Sequence, residues 1–459
     1  MSDKPLDLRG RRVLVVGLAR SGIAAARLAA TRGARVRATD RRVASELASL
    51  AELTGAGIEL ALGGHDPADF TSADLVVVSP GVPLALPEIQ AARRKGVPVW
   101  GEIELAWRLL PRPVPAVGIT GTNGKSTTTA LCGLLFQKDR RAFVGGNLGT
   151  PLSEPVLAGR DVDVLVLELS SFQLEGIESF RPRVAACLNL TPDHLDRYRD
   201  MDDYAAAKAR LFGKQEPADF AIANARDPRS LALAGGSRAE RFTFGFGPPE
   251  PCSVRDPSGG ADLVFTPALG EPERYAVRSR ALRGRHNREN AMAALLCARL
   301  LEVPAQKVQA GLDEFPGLPH RLELVREHLG VEWVNDSKAT NVDSTAVGLA
   351  AFPAGRPSVF LILGGRGKGA PYTPLRELFP GRVKALLTIG EDAEAVERDL
   401  GDLVPTERAG TLASAVVRAA ASATSGDVVL LSPACASYDQ FRNYEERGEA
   451  FRRLAAELP

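Results

Sequence analysis

A chain of 459 residues is too long for one ordinary core, so two or three domains are expected. Its 45% hydrophobic and 25% charged residues are those of a soluble globular protein, and a net charge of +1 gives no electrostatic case for nucleic acid or an anionic membrane as main partner. The five cysteines (Cys132, Cys187, Cys252, Cys297, Cys435) form no C-x-x-C pair, and no signal-type or membrane-spanning apolar run is found, so a cytoplasmic protein with reduced core cysteines is expected.

Arg11 to Gly17 reads as a strand ending in glycine, Ser21 to Arg32 as an Ala-rich helix, and Ala34 to Thr39 as a second strand ending at Asp40. This βαβ start is of Rossmann type. In Gly17-Leu-Ala-Arg-Ser-Gly22 the middle glycine of the dinucleotide fingerprint is replaced by Ala19. A nicotinamide-dependent oxidoreductase with a regulatory ATP site is therefore one reading, and a domain for a nucleotide-bearing substrate is the other. Asp74 to Pro83 is a further strand ending in a turn, and Pro111, Pro113 and Pro115 mark a hinge into a second segment.

The second segment opens with the most informative stretch, Gly118-Ile-Thr-Gly-Thr-Asn-Gly-Lys-Ser-Thr-Thr128. An apolar strand, a glycine turn and a helix starting near Ser126 follow one another, as in a phosphate cradle. Gly121 and Gly124 admit phosphate oxygens to backbone N–H groups, Lys125 supplies a point charge, and Ser126 or Thr127 can reach magnesium. The strict P-loop would need glycine at 119, where this chain has Ile, so the match is to a shorter variant. Val162 to Leu169 is a strand ending at Glu168, where such folds place a magnesium-binding acid. Val184 to Leu190 leads to Asp193 and His194, and a loop histidine is ordinarily inert. Asp203 to Phe212 is an amphipathic helix whose Lys208 is, by its pattern alone, a solvated face residue. Residues 235 to 280 mix short β-rich pieces into a small side sheet, and Asn287 to Leu301 is a longer helix.

Pro and Gly density around Phe315 to Arg321 marks a second boundary. Beyond it, apolar runs at Val331 to Val334, Val359 to Leu363, Val383 to Ile389 and Val428 to Leu431 alternate with helical patterns, as in a doubly wound sheet. Three strand-end loops carry chemistry: Asn335-Asp-Ser-Lys-Ala-Thr-Asn341, Gly364-Gly-Arg-Gly-Lys368 and Ser432-Pro-Ala-Cys-Ala-Ser-Tyr-Asp-Gln-Phe441. Their tips share one sheet edge and point to a carboxylate or phosphate pocket.

Together these motifs resemble the Mur ligases over essentially the whole chain. Gly121 to Thr127, Glu168-Leu-Ser-Ser-Phe-Gln-Leu174, Asp193-His194, His286-Asn287 with Asn290, His320-Arg321 and Asn335 to Asn341 occur in the family's order. The tail from Ser432 with Asn443 and Glu446-Arg-Gly448, and the turn ending at Lys368, are those of the branch that takes D-glutamate. The resemblance implies an α/β chain of three domains: a Rossmann-like N-terminal domain (1–102), a central P-loop-type ATPase domain (103–317) and a C-terminal doubly wound α/β domain (318–459). The implied activity is ATP-dependent amide ligation in peptidoglycan precursor synthesis. Its substrates would be UDP-N-acetylmuramoyl-L-alanine and D-glutamate, with two magnesium ions (or manganese), and the protein would act as a monomer.

Residue by residue, the resemblance implies ATP phosphates at Gly121, Thr122, Asn123, Gly124, Lys125, Ser126 and Thr127, with Asn287, Arg321 and Asp336 around the nucleotide. Arg20 and Ser21 would lie at the substrate diphosphate, Asp40, Arg41 and Arg42 near the uridine, and Asn147 would orient that substrate. Ser126 and Glu168 would bind one metal, His194 and Lys208 a second, with Lys208 carbamylated into an oxygen-donor anion. Lys125, Glu168, His194 and Lys208 form the implied catalytic set, and Lys338, Thr340, Lys368, Ser437 and Tyr444 would receive D-glutamate. Tyr444 replaces a usual Phe, Arg366 a commonly acidic residue, and Pro192 an acidic residue before Asp193. Another Mur ligase or a folylpolyglutamate synthase-like enzyme is the neighbouring alternative, against which the βαβ start and the tail both argue. A non-catalytic nucleotide-binding module is a third reading.

Overall fold

The computed structural model describes residues 6–47, 50–194, 197–246, 252–257, 262–267 and 270–459. They form two compact units, Met1–Ala276 with Glu289–Gly311, and Val277–Arg288 with Leu312–Pro459. Among the described residues no helix is long and apolar enough to cross a membrane.

The first unit holds two sheets. A five-stranded parallel sheet runs in the order Glu59–Leu62, Arg35–Asp40, Arg12–Val16, Leu75–Val78, Val99–Gly101. Helix Arg20–Thr31 packs its Ala25, Ala26, Leu28 and Ala29 against it. Gly22 has no room for a side chain, since a Cβ there would strike the carbonyl of Gly17. The first and last glycines of the fingerprint thus serve helix–strand packing, and Ala19 takes the N-cap with an ordinary φ of −85°.

A nine-stranded sheet follows, in the order Glu273–Ala276, Asp262–Phe265, Cys252–Asp256, Glu240–Phe246, Phe220–Asn224, Val184–Cys187, Ala116–Thr120, Val164–Glu168, Ala142–Gly146. Its centre is parallel and apolar on both faces: every residue of Ala116–Thr120 and Val164–Glu168 is buried. Among the described residues the side sheet expected over 235 to 280 is not a separate element. Glu240–Phe246 pairs in parallel with Phe220–Asn224, and the later strands extend the same sheet. The physical reason is an open edge, whose unpaired N–H and C=O groups take up the next strands.

The helix before the proline stretch, Glu102–Arg108, is tied to residues that follow the prolines. Burial would raise the Glu104 carboxyl, but the Ser179 hydroxyl (2.5 Å), N–H bonds from Glu178 (2.8 Å) and Ser179 (2.8 Å), and the Arg108 guanidinium (2.6 Å) outweigh it and hold it low. Glu102 accepts from Ser153 N–H at 2.5 Å, and burial pushes its carboxyl up to about 7.

The second unit is built on a six-stranded sheet in the order Glu323–His328, Val331–Asn335, Val428–Leu431, Val359–Gly364, Val383–Ile389, Thr406–Gly410. Only the Glu323–His328 edge is antiparallel. Val331–Asn335, Val428–Leu431 and Val359–Gly364 are neighbours in one parallel run, so their C-terminal loops emerge together, as expected from the apolar runs.

Candidate active site

Strand Ala116–Thr120 delivers the chain into the glycine turn, and helix Lys125–Gln137 leaves it. Gly124 is the N-cap with φ +84°, and a Cβ there would overlap the Asn290 side chain. The helix starts without a side-chain cap and without an acidic residue in its first turn, so its positive end stays uncompensated. Two of the turn's own amides are engaged elsewhere. Thr122 N–H donates to the Asn189 carbonyl (2.9 Å) and Asn123 N–H to Asn189 Oδ1 (2.8 Å). These two amides are not open to an anion, while the helix's first turn offers uncapped donors, and Asn189 holds the turn in shape.

Two ammonium groups converge on one oxygen. Lys125 Nζ donates to the carbonyls of Gly121 (2.9 Å) and Thr122 (2.7 Å), and Lys208 Nζ donates to the same Gly121 carbonyl (3.0 Å) and to the Thr120 hydroxyl (3.3 Å). Lys208 is 1% exposed, which corrects the solvated position its sequence pattern predicts. Asp200 caps helix Met201–Ala209 by accepting from the N–H groups of Asp202 and Asp203, and this fixes the turn that puts Tyr204 and Lys208 inward. Burial first, and the Lys125 charge second, pull the Lys208 ammonium down to about 7. Its Nζ lies 4.6 Å from the Tyr204 ring centre, the Tyr204 hydroxyl is 3.3 Å from Thr122 Oγ1, and the His194 ring is 6.3 Å from Tyr204. One aromatic ring therefore links the turn, Lys208 and His194.

Glu168 ends its strand in register with Ile119 and is 2% exposed. Its Oε1 accepts from Asn147 Nδ2 at 2.6 Å, while Oε2 is buried without any hydrogen-bond partner. A buried carboxylate oxygen left unmatched is costly unless a cation meets it. Among the described residues no three His, Cys, Asp or Glu side chains form a metal cage. Magnesium does not require one, being held by one or two carboxylates together with substrate phosphate oxygens. Glu168 fits that role.

In the N-terminal sheet Asp40 is fully engaged, accepting from Leu18 N–H (2.7 Å) and from Arg42 at its backbone (2.9 Å) and guanidinium (2.8 Å). The Arg42 bond holds its carboxyl well below the usual range. Arg20 Nη1 donates to the Gly149 carbonyl at 2.7 Å, near Asn147, and Arg41 is exposed.

In the second unit Lys338 Nζ lies 5.3 Å from the Tyr444 ring centre, Lys368 is exposed, and Ser437 is buried. Arg447, 1% exposed, donates to the Ser337 hydroxyl (3.0 Å) and to the carbonyls of Ser337 (2.9 Å), Cys435 (3.1 Å) and Ala436 (3.4 Å). It staples the Asn335 loop to the Ser432 loop. Asp336 accepts from Leu322 N–H (3.2 Å) and the Ser432 hydroxyl (2.8 Å), and burial raises its carboxyl to about 7. Asn287 Nδ2 donates to the carbonyls of Ala281 (3.3 Å) and Arg283 (3.2 Å).

Three family models match along the chain: the MurD-like N-terminal domain of Mur ligases over residues 11–101, the Mur ligase middle domain over 119–298, and the Mur ligase glutamate ligase domain over 320–435. The UDP-N-acetylmuramoylalanine–D-glutamate ligase of Anaeromyxobacter dehalogenans is 70% identical across 98% of both chains. The chain belongs to the Mur ligase family. The corresponding ligase of Myxococcus xanthus is 55% identical over 99% of this chain and 100% of its own. UDP-N-acetylmuramate-alanine ligase of Thermotoga maritima, at 19% identity and a TM-score of 0.57 over 98% of this chain and 100% of that one, shares the fold.

Sequence reasoning on this Mur ligase passed over Asn189, Tyr204 and Arg447 as working parts. Asn189 follows the strand Val184–Cys187, the same strand-end position that singled out Glu168, so that signal was present. Arg447 lies in the Glu446-Arg-Gly448 stretch of the tail, though nothing local gives its role, and Tyr204 carries no mark, because the importance of both comes from what lies across the fold.

Proposed function

We propose that this Mur ligase joins the amine of D-glutamate to the L-alanyl carboxyl of UDP-N-acetylmuramoyl-L-alanine, with ATP activating the acid, in the cytoplasmic synthesis of peptidoglycan precursor. The relatives named for this reaction at 70% and 55% identity support the substrates. The chemistry rests on one observation: Lys125 and Lys208 meet at the Gly121 carbonyl, while Glu168 Oε2 lies buried without a partner.

A carboxylate is a poor acyl donor because oxide is a poor leaving group. Transfer of the terminal phosphoryl of ATP makes an acyl phosphate and ADP. The D-glutamate amine then attacks the acyl carbon, the new C–N bond forms, the C–O bond to phosphate breaks, and the amine proton leaves to solvent. Lys125 and the first-turn amides of helix Lys125–Gln137 would grip the phosphates, with Gly121 to Thr127 shaping the cradle and Asn287, Arg321 and Asp336 ordering the nucleotide side. Glu168 with Ser126, and His194 with a carbamylated Lys208, would hold two magnesium ions (or manganese), which supply positive charge to the transferring group.

An amine with its pKa near 7 is neutral often enough to add to CO2, forming an N–C bond and releasing a proton. The uncapped N-terminus of helix Arg20–Thr31, with Arg20 and Ser21, would take the substrate diphosphate. Asp40 orders the Leu18 turn while Arg41 and Arg42 stand toward the uridine, and Asn147 holds Glu168 and the substrate in one frame. Lys338, Thr340, Lys368, Ser437 and Tyr444 would receive the two carboxylates of D-glutamate.

Phosphate release with ATP, magnesium and UDP-N-acetylmuramoyl-L-alanine, measured against a panel of amino acids, tests this reading. Release is expected with D-glutamate alone. Equal release with L-glutamate or another amino acid, or none at all, would sink it.

A further inference from the structure

The turn Gly364–Lys368 and the loop Ser432–Phe441 are zipped together by main-chain bonds. Gly364 N–H donates to the Pro433 carbonyl (2.9 Å), Arg366 N–H to the Ala436 carbonyl (2.9 Å), and Ala436 N–H back to the Arg366 carbonyl (3.0 Å). Behind this zipper lies a relay of three side chains that the reaction described above does not use. The Tyr372 hydroxyl, on a ring only 3% exposed, donates to Asp392 Oδ2 at 2.6 Å and lies 2.9 Å from Cys435 Sγ. With the hydroxyl proton on Asp392, the thiol of Cys435 donates to the phenol oxygen. Asp392 N–H in turn donates to the Gly365 carbonyl at 2.9 Å, and its carboxylate fills the space that a Cβ on Gly367 would need. One hydroxyl therefore joins the underside of the Lys368 turn to the loop that carries Ser437.

We propose that Tyr372 is a positioning residue that, through Asp392 and Cys435, sets the separation of Lys368 and Ser437 and thereby the affinity for the amino-acid substrate. The inference rests on the reading that these two loops receive D-glutamate. Tyr372 and Cys435 are buried and Asp392 is half-buried, so losing the hydroxyl removes a side-chain donor from Asp392 Oδ2, and the turn above it is free to shift. The relay's bonds run to the Lys368 turn and the Ser437 loop, so the effect belongs to the substrate that those loops receive.

The experiment is a three-substrate kinetic comparison of the wild type with Tyr372→Phe, Asp392→Asn and Lys368→Ala. Tyr372→Phe keeps the ring, and with it the packing. Its KM for D-glutamate should rise about five-fold, the loss of one buried hydrogen bond, with kcat and the KM values for ATP and the UDP-substrate within about two-fold. Asp392→Asn keeps an acceptor for the hydroxyl and should retain a near wild-type KM for D-glutamate. An unchanged KM in Tyr372→Phe alongside a raised one in Lys368→Ala overturns the positioning role. An equal rise for all three substrates also overturns it, by showing a merely structural part. If Lys368→Ala leaves the D-glutamate KM unchanged as well, the amino-acid reading of the loops fails and the proposal falls with it.

Discussion

Lys208 and Arg447 are both buried cations that, among the described residues, face no carboxylate within ion-pairing distance, yet they solve the problem in opposite ways. Arg447 keeps its charge and spreads it over four oxygens of two loops, so burial lowers its pKa only to about 10. A guanidinium has enough donors in a fixed plane to serve as a staple. Lys208 has two acceptors, one of them shared with Lys125, and its ammonium falls to about 7. The first region stores order in a satisfied network. The second leaves Oε2 of Glu168 unmatched and gives the Lys208 amine only two acceptors, and perturbed buried groups of this kind mark sites of chemistry.

The sharpest test of this contrast is Lys125→Ala. It should lower ATP-dependent phosphate release by at least about a thousand-fold, and removing the like charge should raise the apparent pKa of Lys208, read by pH-dependent amine labelling. Retained turnover would remove the phosphate-loop assignment. Next in size, Lys208→Ala should lose activity by about a hundred-fold or more, and short-chain carboxylic acids should restore part of it by standing in for a carbamate.

Lys208 also predicts a stability slope. Its folded pKa is below the unfolded value of about 10.4, so the unfolded chain binds more protons between pH 7 and 10, and stability should rise with pH there. In CO2-free buffer that rise should vanish in Lys208→Met; a persistent rise would assign it elsewhere. The smallest effect on chemistry should come from Arg447→Lys, which keeps the charge but loses the planar fork. Its cost should be about 2–3 kcal/mol of stability, seen as a lower thermal midpoint. A variant as stable as wild type would show that the staple is not one.

Much of this was legible before the fold was known. The apolar runs Val164–Glu168 and Val428–Leu431 are buried strands because strands covered on both faces have no polar alternation to hide, and Gly121 to Thr127 sits between strand and helix as its spacing requires. Less legible were the edge strands Thr406–Gly410, mostly exposed, and Glu323–His328, mostly half-exposed, whose polar residues resemble loops. The strands within 235 to 280 were seen, but not that they would join the central sheet.

What the sequence determined alone was the family, the layered α/β plan and the position of the phosphate turn, since each is written in local spacing. Tertiary structure decided that Lys208 is buried, that Asn189 occupies two of the turn's amides, and that the proline stretch lies beside a helix anchored by Glu104. Those outcomes depend on which groups meet across the fold, and charge, desolvation and hydrogen-bond competition act through distance in space rather than along the chain.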